Sequence, residues 1–231
     1  MNNGVQTQFG YANGGLATDR QRVLRNTYWL LALSLVPTVL GAWIGVASGL
    51  FRAMSSGMSM IVFFVGAFGL MFLVEKTKES AAGVASLLAF TFFMGLMLSR
   101  LVGFVLGSYS NGTSLVMTAF GGTAAVFFAM ASLATVIKRD LSSMGKFLTV
   151  GAIVLMVAGI ANFFLQSSAL MLTILVLMLG VFSAFMLYDI KRVVDGGETN
   201  YISATLAIYL DLYNIFQSLL SLLGIFGGDR D

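Results

Sequence analysis

Seven runs of apolar residues, separated by short polar stretches, fill the chain from residue 28 onward. They cover Tyr28–Ala47, Gly57–Val74, Ala81–Leu98, Ser114–Ile137, Phe147–Leu165, Ala169–Asp189 and Tyr201–Phe226. Each is close to the roughly 20 residues a helix needs to cross about 30 Å of hydrocarbon. In lipid the backbone N–H and C=O groups have no water to bond, so runs of this length predict helices. A β-barrel would alternate apolar and polar residues in segments of about ten, and these runs are continuous. The third run can continue to Leu106, carrying Arg100 inside it. The connections are short and no fixed-period repeat is present. The pattern therefore predicts an all-α polytopic membrane protein, one seven-helix transmembrane domain over residues 26–231. Residues 1–25 are polar and rich in Gly, Asn and Gln, which predicts a mobile tail. They lack the charged, apolar and small-residue regions of a removed signal peptide, so the first run reads as an uncleaved anchor.

Composition narrows the chemistry. Of the 231 residues, 58% are hydrophobic and 10% charged, against about 25% charged in an average soluble domain. A soluble fold of this size cannot bury that much apolar surface, which excludes a soluble enzyme and a nucleic-acid binder. The chain has no Cys and no His. That removes thiol nucleophiles, Ser-His catalysis, the usual zinc ligands and His-ligated haem. No catalytic residue, metal site or cofactor is expected, and the lipid bilayer is the first partner.

The net charge is +3, but its distribution says more than its sum. Arg20, Arg22 and Arg25 precede the first run. Lys76 and Lys78 lie between the second and third, Lys138, Arg139 and Lys146 between the fourth and fifth, and Lys191 and Arg192 between the sixth and seventh. These ten fall on one side of the membrane and Arg52, Arg100 and Arg230 on the other. Positive charge accumulates on the cytoplasmic side, so the N-terminus is expected there; seven full spans put the C-terminus outside, and a re-entrant last segment would put it inside. Trp29 and Trp43 suit interfacial anchors of the first helix, and Pro37 predicts a kink in it. Gly121, Ala125 and Ala129, with Gly122 and Ser132 nearby, form a small-residue stripe on the fourth helix, expected to be a close contact between helices of the bundle, with a dimer face as the alternative. Asn111-Gly-Thr113 matches a glycosylation acceptor, a pattern short enough to arise by chance.

Two carboxylates break the apolar pattern. Asp211 lies ten residues into the last run, and Asp189 ends the sixth. A charge at membrane depth costs at least about 2.5–3.5 kcal/mol on insertion scales, so it implies a partner, a proton or water. The sixth helix should run to about Val194 and stop at Gly196-Gly197. That places Asp189 roughly 8 Å and Asp211 roughly 12–15 Å below their helix ends, close enough in depth to meet. Two adjacent carboxylates cannot both ionise cheaply, and such a pair would share a proton. It would serve as a pH-dependent latch, as half of an ion pair, or as a fixed hydrogen-bonded link between helices. Asn214 and Ser218 follow Asp211 on the same helix face.

Several segments carry a resemblance. They are Val23-Leu-Arg-Asn-Thr-Tyr28, Gly69-Leu-Met-Phe-Leu73, Gly121-Gly-Thr-Ala124, Ala161-Asn-Phe-Phe-Leu-Gln166, Gly196-Gly-Glu-Thr-Asn-Tyr-Ile202, Leu212-Tyr-Asn-Ile-Phe216 and Ser218-Leu-Leu-Ser-Leu-Leu-Gly224. Across residues 23–226 the chain resembles the Bax inhibitor (transmembrane Bax-inhibitor-motif) family, within it the bacterial YccA-like subgroup. The resemblance implies a seven-helix bundle with the last helix central. It also implies a non-enzymatic inner-membrane protein that modulates an FtsH-type membrane AAA protease. Other family members imply an alternative, a pH-gated calcium or cation leak in which Asp189 and Asp211 are the pH-sensing pair and calcium ions or protons are the partners. Asn214 joins them as an ion-pathway candidate. Family channels pair one Asp with an Arg near the second turn, where this chain offers Lys76 or Lys78. Ser99-Arg100 replaces the Gly-Pro usual in relatives. A third reading, an intramembrane aspartyl protease, lacks the Gly-x-Gly-Asp and Pro-Ala-Leu motifs, since Pro37 is the one proline.

Overall fold

A computed structural model describes residues 3–49 and 54–229, with side chains from residue 19 onward; Arg52 and Arg230 lie outside the described residues. Seven helices follow in order: α1 (Asn3–Ser48), α2 (Ser56–Thr77), α3 (Ala81–Ser108), α4 (Gly112–Val136), α5 (Ser142–Leu165), α6 (Ser168–Asp195) and α7 (Tyr201–Gly227). All seven are long and apolar enough to cross a membrane, with the α1 span at Asp19–Ser48. The third helix does take in Arg100 and runs on to Ser108. The backbone of the polar N-terminal stretch is helical from Asn3 and continuous with the first span. The helix runs through Pro37 without interruption.

The architecture follows from which faces find partners. α7 packs against α1, α2, α3, α4 and α6, and α1, α3, α4 and α6 close a ring around it. α2 packs on α3, while α5 packs on α6 with no substantial contact to another helix among the described residues. The last helix is therefore the core. Its buried positions include Ile202, Thr205, Ile208, Tyr209, Asp211, Ile215, Ser218 and Leu220.

Close approach of helices is concentrated between α1 and α3. A Cβ at Gly95 would meet the Thr38 backbone, and one at Gly41 would meet the backbone of Phe92, Gly95 and Leu96. With the helices this near, the Thr38 hydroxyl shares a hydrogen bond with the Tyr209 hydroxyl at 2.9 Å and donates to the Thr91 carbonyl at 3.2 Å. The small stripe of α4 does not make such a contact, contrary to expectation. Gly121, Ala125, Ala129 and Ser132 are exposed to the lipid side, and nothing lies within 4 Å of a Cβ at Gly121. α4 turns Ala119, Thr123 and Ala134 inward instead. Trp29 and Trp43 are both exposed on α1.

The two ends of the bundle are built differently. At one end the α2–α3 and α6–α7 turns meet, with Asn200 Nδ2 donating to the Lys78 carbonyl at 3.1 Å. At the other, the α3–α4 turn holds the end of α7. Asn111 Nδ2 donates to the Gly227 carbonyl at 2.6 Å, the Asp229 N–H donates to Asn111 Oδ1 at 3.2 Å, and the Ser110 N–H donates to the Asp229 carbonyl at 3.1 Å. α7 thus reaches from one end of the bundle to the other, and the Asn111 side chain is committed to a structural clamp. Arg100 sits near this second end, donating to the Ser59 and Ser56 hydroxyls of the first turns of α2 at 2.7 and 2.8 Å.

Candidate functional site: a charged cavity above a buried carboxyl pair

The first end opens into a cavity of about 220 Å³ lined by Glu75, Lys78, Asp189, Arg192, Glu198, Ser203, Ala204 and Ala207. Local sequence explains how these groups converge. α6 ends in a glycine cap: Gly196 takes the left-handed conformation at φ 80°, which glycine adopts without steric cost. The Gly197 and Glu198 N–H groups both turn back onto the Arg192 carbonyl, at 2.8 and 3.2 Å. This reversal brings Glu198 over Arg192. Asn200 then caps α7, accepting from the Ile202 and Ser203 N–H groups at 2.9 and 3.1 Å. That fixes where the last helix starts.

The charges in the cavity are matched in pairs. Arg192 reaches Glu198 at 3.0 Å and Asp189, one turn back on α6, at 3.8 Å. Lys78 pairs with Glu75 three residues before it, and the hydrogen bond to that carboxylate holds its ammonium above the usual lysine range. Ser203 donates to the other Glu75 oxygen at 3.4 Å. Arg192 is 41% exposed in its side chain, so each of its ion pairs contributes at most about 1 kcal/mol. The network positions groups more than it stabilises the fold.

Beneath the cavity the two predicted carboxylates do meet. Asp189 and Asp211 lie within hydrogen-bonding reach of each other. The Asp189 side chain is 12% exposed, facing the cavity, whereas Asp211 is buried at 4%. Among the described residues no hydroxyl, amide or cationic donor reaches Asp211 Oδ2 or the Ser218 hydroxyl one further stretch along the same face. Asn214 lies between them, but its amide donates back to the Leu210 carbonyl of its own helix at 2.8 Å. The lysines offered as counter-ions are engaged elsewhere: Lys78 with Glu75, and Lys76 over the Phe72 ring at 4.8 Å. The cation beside Asp189 is Arg192. Its spacing of three residues from Asp189 on one helix was a readable signal. Glu75 was readable in the same way, three residues before Lys78. Glu198 was not, because the glycine reversal sets its position.

A sequence profile of the family described as inhibitor of apoptosis-promoting Bax1 matches residues 20–228. The chain is 40% identical over 208 residues to a protein of Escherichia coli named modulator of FtsH protease YccA, covering 90% of this chain and 92% of that protein. An uncharacterized protein of Pseudomonas aeruginosa is 38% identical over 227 residues, covering 97% and 100% of the two chains. An uncharacterized membrane protein of Vibrio cholerae is 37% identical over 208 residues, covering 90% and 91%. With the match running from the first turn of the first span to the end of the seventh, this chain belongs to the Bax inhibitor family.

Proposed function

We propose that the protein is a non-enzymatic inner-membrane protein that binds and modulates an FtsH-type membrane protease in the quality control of membrane proteins. The observation that carries this reading is the near-full-length similarity to a relative named as a modulator of that protease. The form of α1 gives it a physical route. The Asp19–Ser48 span is 30 residues long, already more than a bilayer needs. The helix continues before it from Asn3, adding about 24 Å at 1.5 Å per residue. Stretched out, residues 1–25 would reach roughly 80 Å, so unwinding lengthens the handle a little more than twofold. The positive charge on this end favours a cytoplasmic N-terminus and a periplasmic C-terminus. A protease that engages the handle then pulls against a bundle whose core is the last helix, and the bundle resists extraction. The test is co-purification with the protease and turnover of a known protease substrate, for the full chain and for a variant lacking residues 1–18. Loss of both on deletion supports the handle, and unchanged binding and turnover refute it.

A second reading starts from the cavity over the Asp189–Asp211 pair. In it the pair holds one shared proton, and a cation path runs from the cavity past Asp211 and Asn214. Calcium flux into proteoliposomes between about pH 6 and 8 tests it, wild type beside Asp211→Asn. Background flux in both rejects the channel and leaves the protease reading intact.

A further inference from the structure

The cations at the cavity end of the bundle differ in whether the protein itself satisfies them. Arg192, Lys78 and Lys191 each have a carboxylate partner, Lys191 with Asp195 at 2.6 Å. Arg20 lies against Gly196 at the α6 cap. Arg22, Arg25 and Lys76 are exposed without a carboxylate within ion-pair distance among the described residues, and so are Lys138, Arg139 and Lys146, but these last three gather at a single turn between two helices. The carboxylate that could neutralise them, Asp140, is turned the other way. It accepts from the Ser142 N–H at 2.8 Å and the Ser142 hydroxyl at 2.5 Å, at the start of α5.

The helices joined by this turn are also unusual. α4 and α5 are consecutive, yet each packs on α6 and they make no substantial contact with each other. Directly beneath the three cations, Leu133 and Val136 end α4, and Phe147 and Val150 begin α5. All four are exposed, from 43% for Leu133 to 77% for Phe147. Three unneutralised cations at the interface, above open apolar surface on two separated helices, match one ligand in both halves: a phosphate group on an acyl chain. Basic sites between transmembrane helices on the cytoplasmic side recognise such headgroups.

We infer that the α4–α5 turn, through Lys138, Arg139 and Lys146, is a binding site for an anionic phospholipid, whose headgroup meets the three cations while its chains cover Leu133, Val136, Phe147 and Val150. This inference is independent of the protease and channel readings. It gives α5, the helix held by a single neighbour, a lipid as its second support.

The experiment uses the full chain purified in detergent and reconstituted in nanodiscs of phosphatidylcholine alone or with phosphatidylglycerol. Thermal stability and native mass spectrometry of retained lipid are the readouts. The comparison is between Lys138→Gln/Arg139→Gln/Lys146→Gln and a control that removes three charges elsewhere on the same end, Arg22→Gln/Arg25→Gln/Lys76→Gln. The expected result is a melting rise with phosphatidylglycerol and retained anionic lipid in wild type and control. The turn variant should lose the melting rise, and its lipid retention should fall at least tenfold. The wild-type effect should weaken with salt. Equal retention in the turn variant and wild type overturns the site. Equal loss in both triple variants overturns it in favour of a general surface field. An equal melting rise from inorganic phosphate alone overturns the lipid as ligand.

Discussion

The contact between α1 and α3 allows a quantitative test of how the bundle is held. Replace Gly95 by alanine. The new Cβ would lie 2.8 Å from the Thr38 carbonyl carbon and 2.9 Å from Thr38 Cα, where ordinary contact begins at 3.4 Å, and it would press on the carbonyl oxygen as well. The obstacle is backbone, which cannot rotate out of the way as a side chain would. The two helices must therefore separate by at least about 0.6 Å, a displacement that a close-packed interior does not absorb freely. Overpacking of this kind costs about 1–3 kcal/mol. At roughly 2–4 °C per kcal/mol for a chain of this size, the melting temperature should fall by about 2–12 °C. The shift also lengthens the Thr38 bonds to the Tyr209 hydroxyl and the Thr91 carbonyl, now 2.9 and 3.2 Å, so the Tyr209 ring should report it by near-ultraviolet circular dichroism. The control is Gly69→Ala, where nothing lies within 4 Å of the new carbon. Alanine is the better helix former by about 1 kcal/mol, so this variant should match or exceed wild type. If Gly95→Ala melts with wild type or with Gly69→Ala, the α1–α3 crossing is not the tight contact described.

Two further outcomes are expected. The hydrogen bonds from Ser142 hold the Asp140 carboxyl below the usual carboxylate range. The contribution of these bonds is therefore complete above the unfolded value of about 3.9 and is lost as pH falls through the lower folded value. The Ser142 amide resonance should titrate with a midpoint below 3.9 (the reference value just given), and a midpoint at or above it would mean the Asp140–Ser142 turn is not formed. Asn111→Ala removes both side-chain bonds of the clamp on the end of α7. At about 1 kcal/mol per bond, limited proteolysis after residue 224 should speed up severalfold, and an unchanged cleavage rate would count against the clamp.

The sequence made the spans legible and their faces illegible, for one physical reason. In a soluble helix the buried face is apolar and the exposed face polar. Here lipid-facing and core-facing positions are both apolar, so Gly121, Ala125 and Ala129 could not be told from Gly41, Gly45 and Gly95 as sites of close approach. Polar residues escape this ambiguity because they must be accommodated somewhere, and Asp189 and Asp211 were accordingly found as a pair. Lys76 and Lys78 were offered as partners by the resemblance to family channels, whereas Arg192, the cation beside Asp189, follows from helix spacing. Arg100 shows the same lesson from the other side. Its depth in α3 could be read from the run, but not its bonds to Ser56 and Ser59 on a neighbouring helix.

Because α7 is the centre of the bundle and follows the six other helices in the chain, the ring of helices is synthesised before the core it surrounds. When α1 to α6 have entered the membrane, α1, α3, α4 and α6 have nothing to surround. The Tyr209 partners on α1 and α3 are bare, and the Asp189 side chain has no companion. Helices generally assemble in the order in which they are made, so this chain completes its core in one late step, ended by Asn111 closing on Gly227 and Asp229. A chain interrupted before residue 201 is left as an open ring with a carboxylate on its inner wall.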